Sequence, residues 1–103
     1  MGRFLNLATI HTLQKSVTSS GTPEKISTDY PVPDGVAVLV KAKVANGVGV
    51  ITVGGSSAEA LQSDTNHFKL QAGESVELHV TNLNAIWIDA TVSGNGVEVI
   101  FES

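Results

Sequence analysis

Apolar and polar side chains alternate with a period of two residues through most of the chain after position 35, and this pattern dictates strands. The first run has apolar residues at every second position, which are Val36, Val38, Val40, Ala42 and Val44. Lys41 and Lys43 alternate with them, which is the periodicity of a strand. No segment of useful length shows a helical period. We therefore predict an all-β protein.

Turn residues separate the alternating runs. Glycine and asparagine recur every ~8–12 residues, which is the spacing between strands in a β-sandwich or a jelly roll. A chain of 103 residues has the size of one domain and buries enough surface for a core without disulfides. We predict an antiparallel β-sandwich, jelly-roll-like, with about eight strands.

The beginning of the chain differs from the rest. Serine and threonine crowd residues 1–30, and apolar positions are scattered there. We predict that residues 1–30 form an N-terminal arm or edge strands. Residues 31–35 then supply two prolines and a Pro-Asp-Gly turn, which interrupt the chain rigidly before the regular pattern begins. Residues 31–103 are predicted to form the β-sandwich domain.

The dipeptide Asn46-Gly47 predicts a hairpin. Asparagine and glycine accept the positive φ angles of a two-residue type I′ turn. Such a turn would pair Ala42 with Ile51 and Val40 with Val53, so that apolar faces agree on both strands. A three-residue turn would bury the other face of the second strand, and the sequence leaves that alternative open.

A second hairpin is predicted at residues 94–96, which read Gly-Asn-Gly. Pairing across this turn sets Val92 against Val99 and Ala90 against Phe101, so every inward residue is apolar. In the same register, the strand before the turn and the strand after it lie side by side in one sheet.

This hairpin predicts an interaction surface. With Ile86, Ile88 and Ala90 inward, the residues between them point to the opposite face. The predicted interface patch consists of Trp87, Asp89, Thr91, Ile100 and Glu102. In this register Asp89 faces Glu102, and such like charges repel unless water screens them or a cation from a partner relieves them. The alternative is that a second sheet covers the face that carries Trp87.

Composition excludes several classes of function. Six Lys and Arg against ten Asp and Glu give a net charge of −4, and no basic run exists to follow a phosphate backbone, so nucleic-acid binding is disfavoured. The absence of cysteine excludes disulfides, thiolate zinc sites and a cysteine nucleophile. No apolar run approaches the ~20 residues of a membrane span or the ~7–15 of a signal peptide.

The polar residues show no arrangement typical of an enzyme. His67 and His79 flank the turn at Gly73 and share outward parity, so they are surface histidines or, alternatively, a pair of metal ligands. Ser75, His79 and Asp89 contain the residue types of a hydrolase triad, but no nucleophile elbow accompanies them. We predict a non-enzymatic protein without catalytic, cofactor-binding or metal-binding residues.

Four short segments have a recognisable order along the chain. Residues 50–56 read V-I-T-V-G-G-S, residues 68–78 contain the turn L-Q-A-G-E-S, residues 82–90 read N-L-N-A-I-W-I-D-A, and residues 94–97 read G-N-G-V. In order and spacing they resemble small β-sandwich structural proteins of tailed bacteriophages, over about residues 36–102. The resemblance carries no catalytic residues.

The resemblance implies a virion component, assembled in the host cytoplasm. It points to a capsid decoration or cement protein that stabilises the phage head through multivalent surface contacts. The implied partners are the major capsid protein and further copies of the chain, as a dimer or trimer. Because related domains also serve in tails and head fibres, the alternative is a glycan- or receptor-binding module there. Trp87 beside Asp89 motivates that alternative, since sugars bind to aromatic rings and carboxylates.

Overall fold

The structure, a computed structural model, describes residues 9–103. Eight strands form two antiparallel four-stranded sheets, with one α-helical turn and two short 3₁₀ turns between them. The strands are β1 (Ile10–Ser16), β2 (Glu24–Lys25), β3 (Val38–Ala42), β4 (Ile51–Gly54), β5 (Phe68–Leu70), β6 (Ser75–Leu78), β7 (Trp87–Ala90) and β8 (Gly96–Glu102). The helical turn α1 spans Ser57–Ala60, and the 3₁₀ turns span Val44–Asn46 and Leu83–Ala85.

The strand order identifies the topology. One sheet has the order β1-β8-β3-β6 and is called the front sheet here; the back sheet has the order β2-β7-β4-β5. Every connection between successive strands crosses from one sheet to the other, except the connection from β4 to β5. This arrangement of eight antiparallel strands in two sheets is a jelly roll. The predicted all-β sandwich is thereby confirmed.

The core lies between the two sheets and follows the predicted alternation. On β3 the apolar residues at even positions are buried, and on β8 those at odd positions are buried. The back sheet contributes Ile51, Ile88 and Ala90 from β4 and β7. Burial of the aliphatic side chains, worth about 1.5–3 kcal/mol for each valine or isoleucine, is the main force that holds the sheets together.

The predicted hairpin at Asn46-Gly47 is wrong. Strands β3 and β4 lie in different sheets, and the chain passes between them through a 3₁₀ turn that ends at Gly47, whose φ is 63°. Val40 pairs with Val76 and Val99 instead of Val53. The apolar pattern fits both arrangements, because two inward faces can lie side by side in one sheet or oppose each other across a core.

The predicted hairpin at residues 94–96 is wrong for the same reason. Strand β7 pairs with β2 and β4, while β8 pairs with β1 and β3. Asp89 therefore lies opposite Thr52, and Glu102 lies opposite Ile10. Thr91 does not lie beside Ile100.

Within residues 9–30, the segment packs on the same sandwich as the rest of the chain. Strand β1 pairs with β8 along seven residues and forms one edge of the front sheet, while β2 forms an edge of the back sheet. Val17 and Ile26 are buried in the common core. Residues 9–30 thus contribute two edge strands to the sandwich. The first eight residues of the predicted arm lie outside the described residues.

Candidate functional site

The outer face of the back sheet is covered by the chain itself. Helix α1 packs on β4 and β7. Beneath this cover, Asp89 is fully buried and accepts backbone hydrogen bonds from Gly21 (3.0 Å), Gln62 (2.9 Å) and Ala90 (2.8 Å). These three donors satisfy the buried carboxylate and attach two loops to the sheet.

Lys69 on β5 holds the same cover in place. Its ammonium donates to the carbonyl oxygens of Asp64 (2.9 Å) and Gln62 (3.3 Å) and to the hydroxyl of Thr52 (3.4 Å). Thr52 is itself fully buried on β4. The loop that follows α1 is therefore anchored by charge-assisted hydrogen bonds. Together, α1 and this loop cover the outer face of the back sheet.

Trp87 lies on the back sheet and is half-buried. The ammonium of Lys25 on β2 lies 5.5 Å from the centre of its ring, which is within cation–π range. One face of the indole is thus occupied, and both carboxylate oxygens of Asp89 accept hydrogen bonds from the protein backbone. The Trp87–Asp89 pair that motivated the sugar-binding alternative is therefore not accessible to a ligand as a pair.

The five residues of the predicted interface lie on two different surfaces. Trp87 and Asp89 belong to the back sheet, whereas Ile100 and Glu102 point outward from the front sheet. Thr91 is exposed just beyond β7, where its hydroxyl accepts a hydrogen bond of 2.9 Å from the amide of Val50. The predicted hairpin register, which joined these residues in one patch, is wrong.

The outer face of the front sheet carries exposed aliphatic side chains. Ile10 on β1, Ile100 on β8 and Leu39 on β3 are 67%, 41% and 37% exposed. Leu39 lies directly opposite Ile100, and Ile10 is on the next strand. Two shallow hollows of about 540 Å³ and 300 Å³ cover this face, and both are lined by Leu39 and Ile100. We call this surface the front face.

Charged residues surround the apolar centre of the front face. Lys41 lies directly opposite Glu98, next to the Leu39–Ile100 pair. Within residues 9–103, the ion pairs are Lys15–Glu24, His67–Asp64 and His79–Glu77. Lys41 and Glu98 are thus neighbours of opposite charge without an ion-pair contact in the part of the chain that the structure describes.

Sequence reasoning found Ile100 and Glu102 on this face but missed Leu39 and Ile10. The signal for Leu39 was available, because Val38, Leu39 and Val40 are three consecutive apolar residues on a strand, and one of them must point away from the core.

The two edges of the sandwich differ. At one edge the Lys15 ammonium lies 2.8 Å from Oε1 of Glu24 and joins β1 to β2.

The other edge leaves an apolar groove between β5 and β6. Its volume is about 360 Å³, with Val53 and Ile86 among the lining residues. Phe68 lines it and is 54% exposed.

His67 and His79 adjoin strands of different sheets. His67 precedes β5 of the back sheet, and its Nε2 lies 3.2 Å from Oδ2 of Asp64. His79 follows β6 of the front sheet, 3.9 Å from a carboxylate oxygen of Glu77. Ser75 and Asp89 are likewise on different sheets, so the triad types do not converge. Among the described residues, no three metal-ligating side chains cluster and no helix is long and apolar enough to cross a membrane.

Comparison with protein-family models, with curated proteins and with solved structures finds no match to this chain. The resemblance to phage structural proteins therefore stays a prediction from the sequence.

Proposed function

We propose that this chain is a non-enzymatic structural protein of a phage virion, a capsid decoration protein that stabilises the head through repeated surface contacts. The front face is the surface by which it is held in the assembly. The carrying observation is the asymmetry of the sandwich: the chain covers the outer face of the back sheet and leaves aliphatic side chains exposed on the front face.

An apolar centre with a polar rim is typical of a protein contact. Single exposed apolar residues are normal, but Leu39, Ile100 and Ile10 lie on neighbouring strands of one face. Thr12, Gln14 and the charged pair Lys41–Glu98 line the larger hollow together with Leu39 and Ile100. This division between centre and rim matches that of protein interfaces.

The size of the front face favours a repeated rather than a single contact. Four strands ~4.8 Å apart and outward positions ~6.8 Å apart give a footprint on the order of 400 Å². A stable interface buries about 800 Å² on each partner. One such contact is therefore weak, whereas many copies on a lattice hold firmly through avidity. A decoration protein binds in this way, as many copies on one lattice.

The fold is compatible with the proposal without proving it. Jelly rolls occur in viral capsid proteins, in lectins and in cupins, and a fold alone does not define a function. The order of the four sequence segments described above supports the phage assignment among these.

Particle binding tests the proposal. Purified virions of the phage that encodes the chain should contain the protein in many copies, and electron microscopy should place it on the head. Particles stripped of the protein should rebind the wild type but not Ile100→Asp, which puts a charge in the centre of the front face. Val48→Asp is the matched control, because Val48 is 97% exposed and lines neither hollow. Absence from virions, or equal binding by both variants, contradicts the proposal.

A further inference from the structure

The front face is complementary to itself. In the central pair of strands, Leu39 is opposite Ile100 and Lys41 is opposite Glu98. The first pair joins two aliphatic side chains, and the second joins opposite charges. Exchanging the two members of each pair therefore preserves the chemistry: an aliphatic residue meets an aliphatic residue, and a cation meets a carboxylate.

We propose that the front face binds a second copy of this chain, face to face, about a two-fold axis that runs parallel to the strands between β3 and β8. Leu39 of each copy then packs on Ile100 of the other, and Lys41 of each copy pairs with Glu98 of the other. This inference rests on the proposed function and names the occupant of the same surface in the free protein, which the capsid replaces when the protein binds to the head.

The direction of the axis follows from the positions of the side chains. A two-fold axis across the strands would keep β3 over β3 and β8 over β8, but in reversed direction. With such an axis midway between the two pairs, Lys41 would cover Leu39 of the second copy and Glu98 would cover Ile100; with the axis at the Leu39–Ile100 pair, Glu98 would cover Glu102, and the like charges would repel. Burying charges against aliphatic groups without a partner is costly, so this arrangement is disfavoured. The axis parallel to the strands avoids this cost.

The outer strands fit the same arrangement. The front sheet has the order β1-β8-β3-β6, so the axis between its two central strands places β1 of each copy over β6 of the other. The positions next to the centre there are Thr12 and Gln14 on β1 and Ser75 and Glu77 on β6. These are polar side chains, and they form a hydrated rim around the four central aliphatic residues.

A second copy is the expected occupant in the free protein because each pair on the front face stays matched when a two-fold axis exchanges its members. The small footprint predicts a weak dimer that depends on concentration, and salt screens its rim ion pairs.

Sedimentation equilibrium of the whole protein over a concentration series tests the dimer. The wild type should dimerise, and Lys41→Glu and Glu98→Lys should each raise the dissociation constant by at least tenfold because like charges then face each other. The double variant Lys41→Glu with Glu98→Lys should restore dimerisation. Glu59→Lys, on α1 over the back sheet, is the control and should dimerise like the wild type. Thermal unfolding of each variant checks that the monomer fold is intact.

Cross-linking tests the register, because the chain has no cysteine of its own. A mixture of Leu39→Cys and Ile100→Cys proteins should form a mixed disulfide dimer faster than either variant forms its own. Val48→Cys is the control for random collision. A wild type that stays monomeric up to about 1 mM, dimers that ignore both charge reversals, or equal cross-linking of all pairs would overturn the inference. Binding to particles by a monomeric wild type would leave the proposed function standing while removing this partner.

Discussion

The amide side chain of Asn46 forms two hydrogen bonds with the backbone of Gly96. Nδ2 donates to the carbonyl oxygen at 2.9 Å, and the amide of Gly96 donates to Oδ1 at 3.0 Å. Strand β3 ends at Ala42, opposite Val97, and the amide of Lys43 donates to the carbonyl oxygen of Gly96 at 3.0 Å. The buried side chain of Asn46 extends this pairing, because within residues 9–103 it alone supplies an acceptor for the amide of Gly96. This contact fixes the point at which the chain crosses from the front sheet to the back sheet.

Asn46→Ala is expected to lower the free energy of unfolding by about 2–3 kcal/mol, because it leaves the buried amide of Gly96 without an acceptor. Urea denaturation measures the loss. Asn66→Ala, at an exposed position, is the control and should change stability by less than about 0.5 kcal/mol. Equal stability of the two variants would mean that the side chain of Asn46 does not anchor β8.

Gly96→Ala is expected to destabilise the attachment of β1. A methyl group at this position would lie 2.0 Å from the carbonyl oxygen of Lys15 and 2.8 Å from Cα of Ser16, both of which are backbone atoms. The edge strand must therefore move away, at a cost of about 2–3 kcal/mol. Gly55→Ala is the matched control, since its new methyl group meets only a flexible carboxylate oxygen at 3.3 Å.

Amide hydrogen exchange gives the readout for Gly96→Ala. The amides of β1 that pair with β8 should exchange faster in this variant, with a smaller change in the back sheet. Unchanged protection of β1 would show that the methyl group is accommodated without movement of the strand.

Asp89→Asn is expected to detach the loops at Gly21 and Gln62 from the outer face of the back sheet. Three backbone amides donate to the two carboxylate oxygens, so an NH₂ group in place of either oxygen faces a donor. We expect a loss of about 2–4 kcal/mol and faster exchange at the amides of Gly21 and Gln62. Asp34→Asn, in an exposed turn, is the control. Retained protection at Gly21 and Gln62 would contradict this role of the carboxylate.

The stability of the sandwich edge where the Lys15–Glu24 ion pair joins β1 to β2 should depend on pH. The hydrogen bond from the Lys15 ammonium and that from the amide of Thr18, at 2.7 Å, hold the pKa of Glu24 below its usual value. A carboxylate whose pKa is lowered by folding stabilises the folded state above its unfolded pKa of ~4.3, and this contribution is lost as the pH falls through the folded value.

Glu24→Gln should therefore lower the Tm at pH 7, and its difference from the wild type should shrink as the pH falls from about 5 to about 3. Differential scanning calorimetry at these pH values measures the effect. In a chain that already carries Lys15→Gln, the same substitution should have a smaller effect, because the main partner is gone. A Tm difference that stays constant with pH would show that the ionised form of Glu24 does not stabilise this edge.

Local chemistry predicted several elements correctly. The alternation at 36–44 gave the buried face of β3. The alternation also placed Ile100 on an outward face. Both Asn-Gly predictions failed, because Asn46 and Asn95 lie where the chain crosses between sheets. A turn motif reports the local backbone, whereas strand pairing depends on residues far along the chain.

By itself, the sequence determined that the protein is built of strands, where most of them run, and which side of β3 and β8 faces the core. These properties follow from side-chain periodicity, which acts within a few residues. Only the tertiary structure decided the strand order, the burial of Asp89 under α1 and its loop, and the placement of Leu39 beside Ile100 on an open face. Apolar burial has no preferred direction, so it favours equally two strands that pair within one sheet and two strands that face each other across the core. The packing of the whole chain decides which of these two arrangements forms.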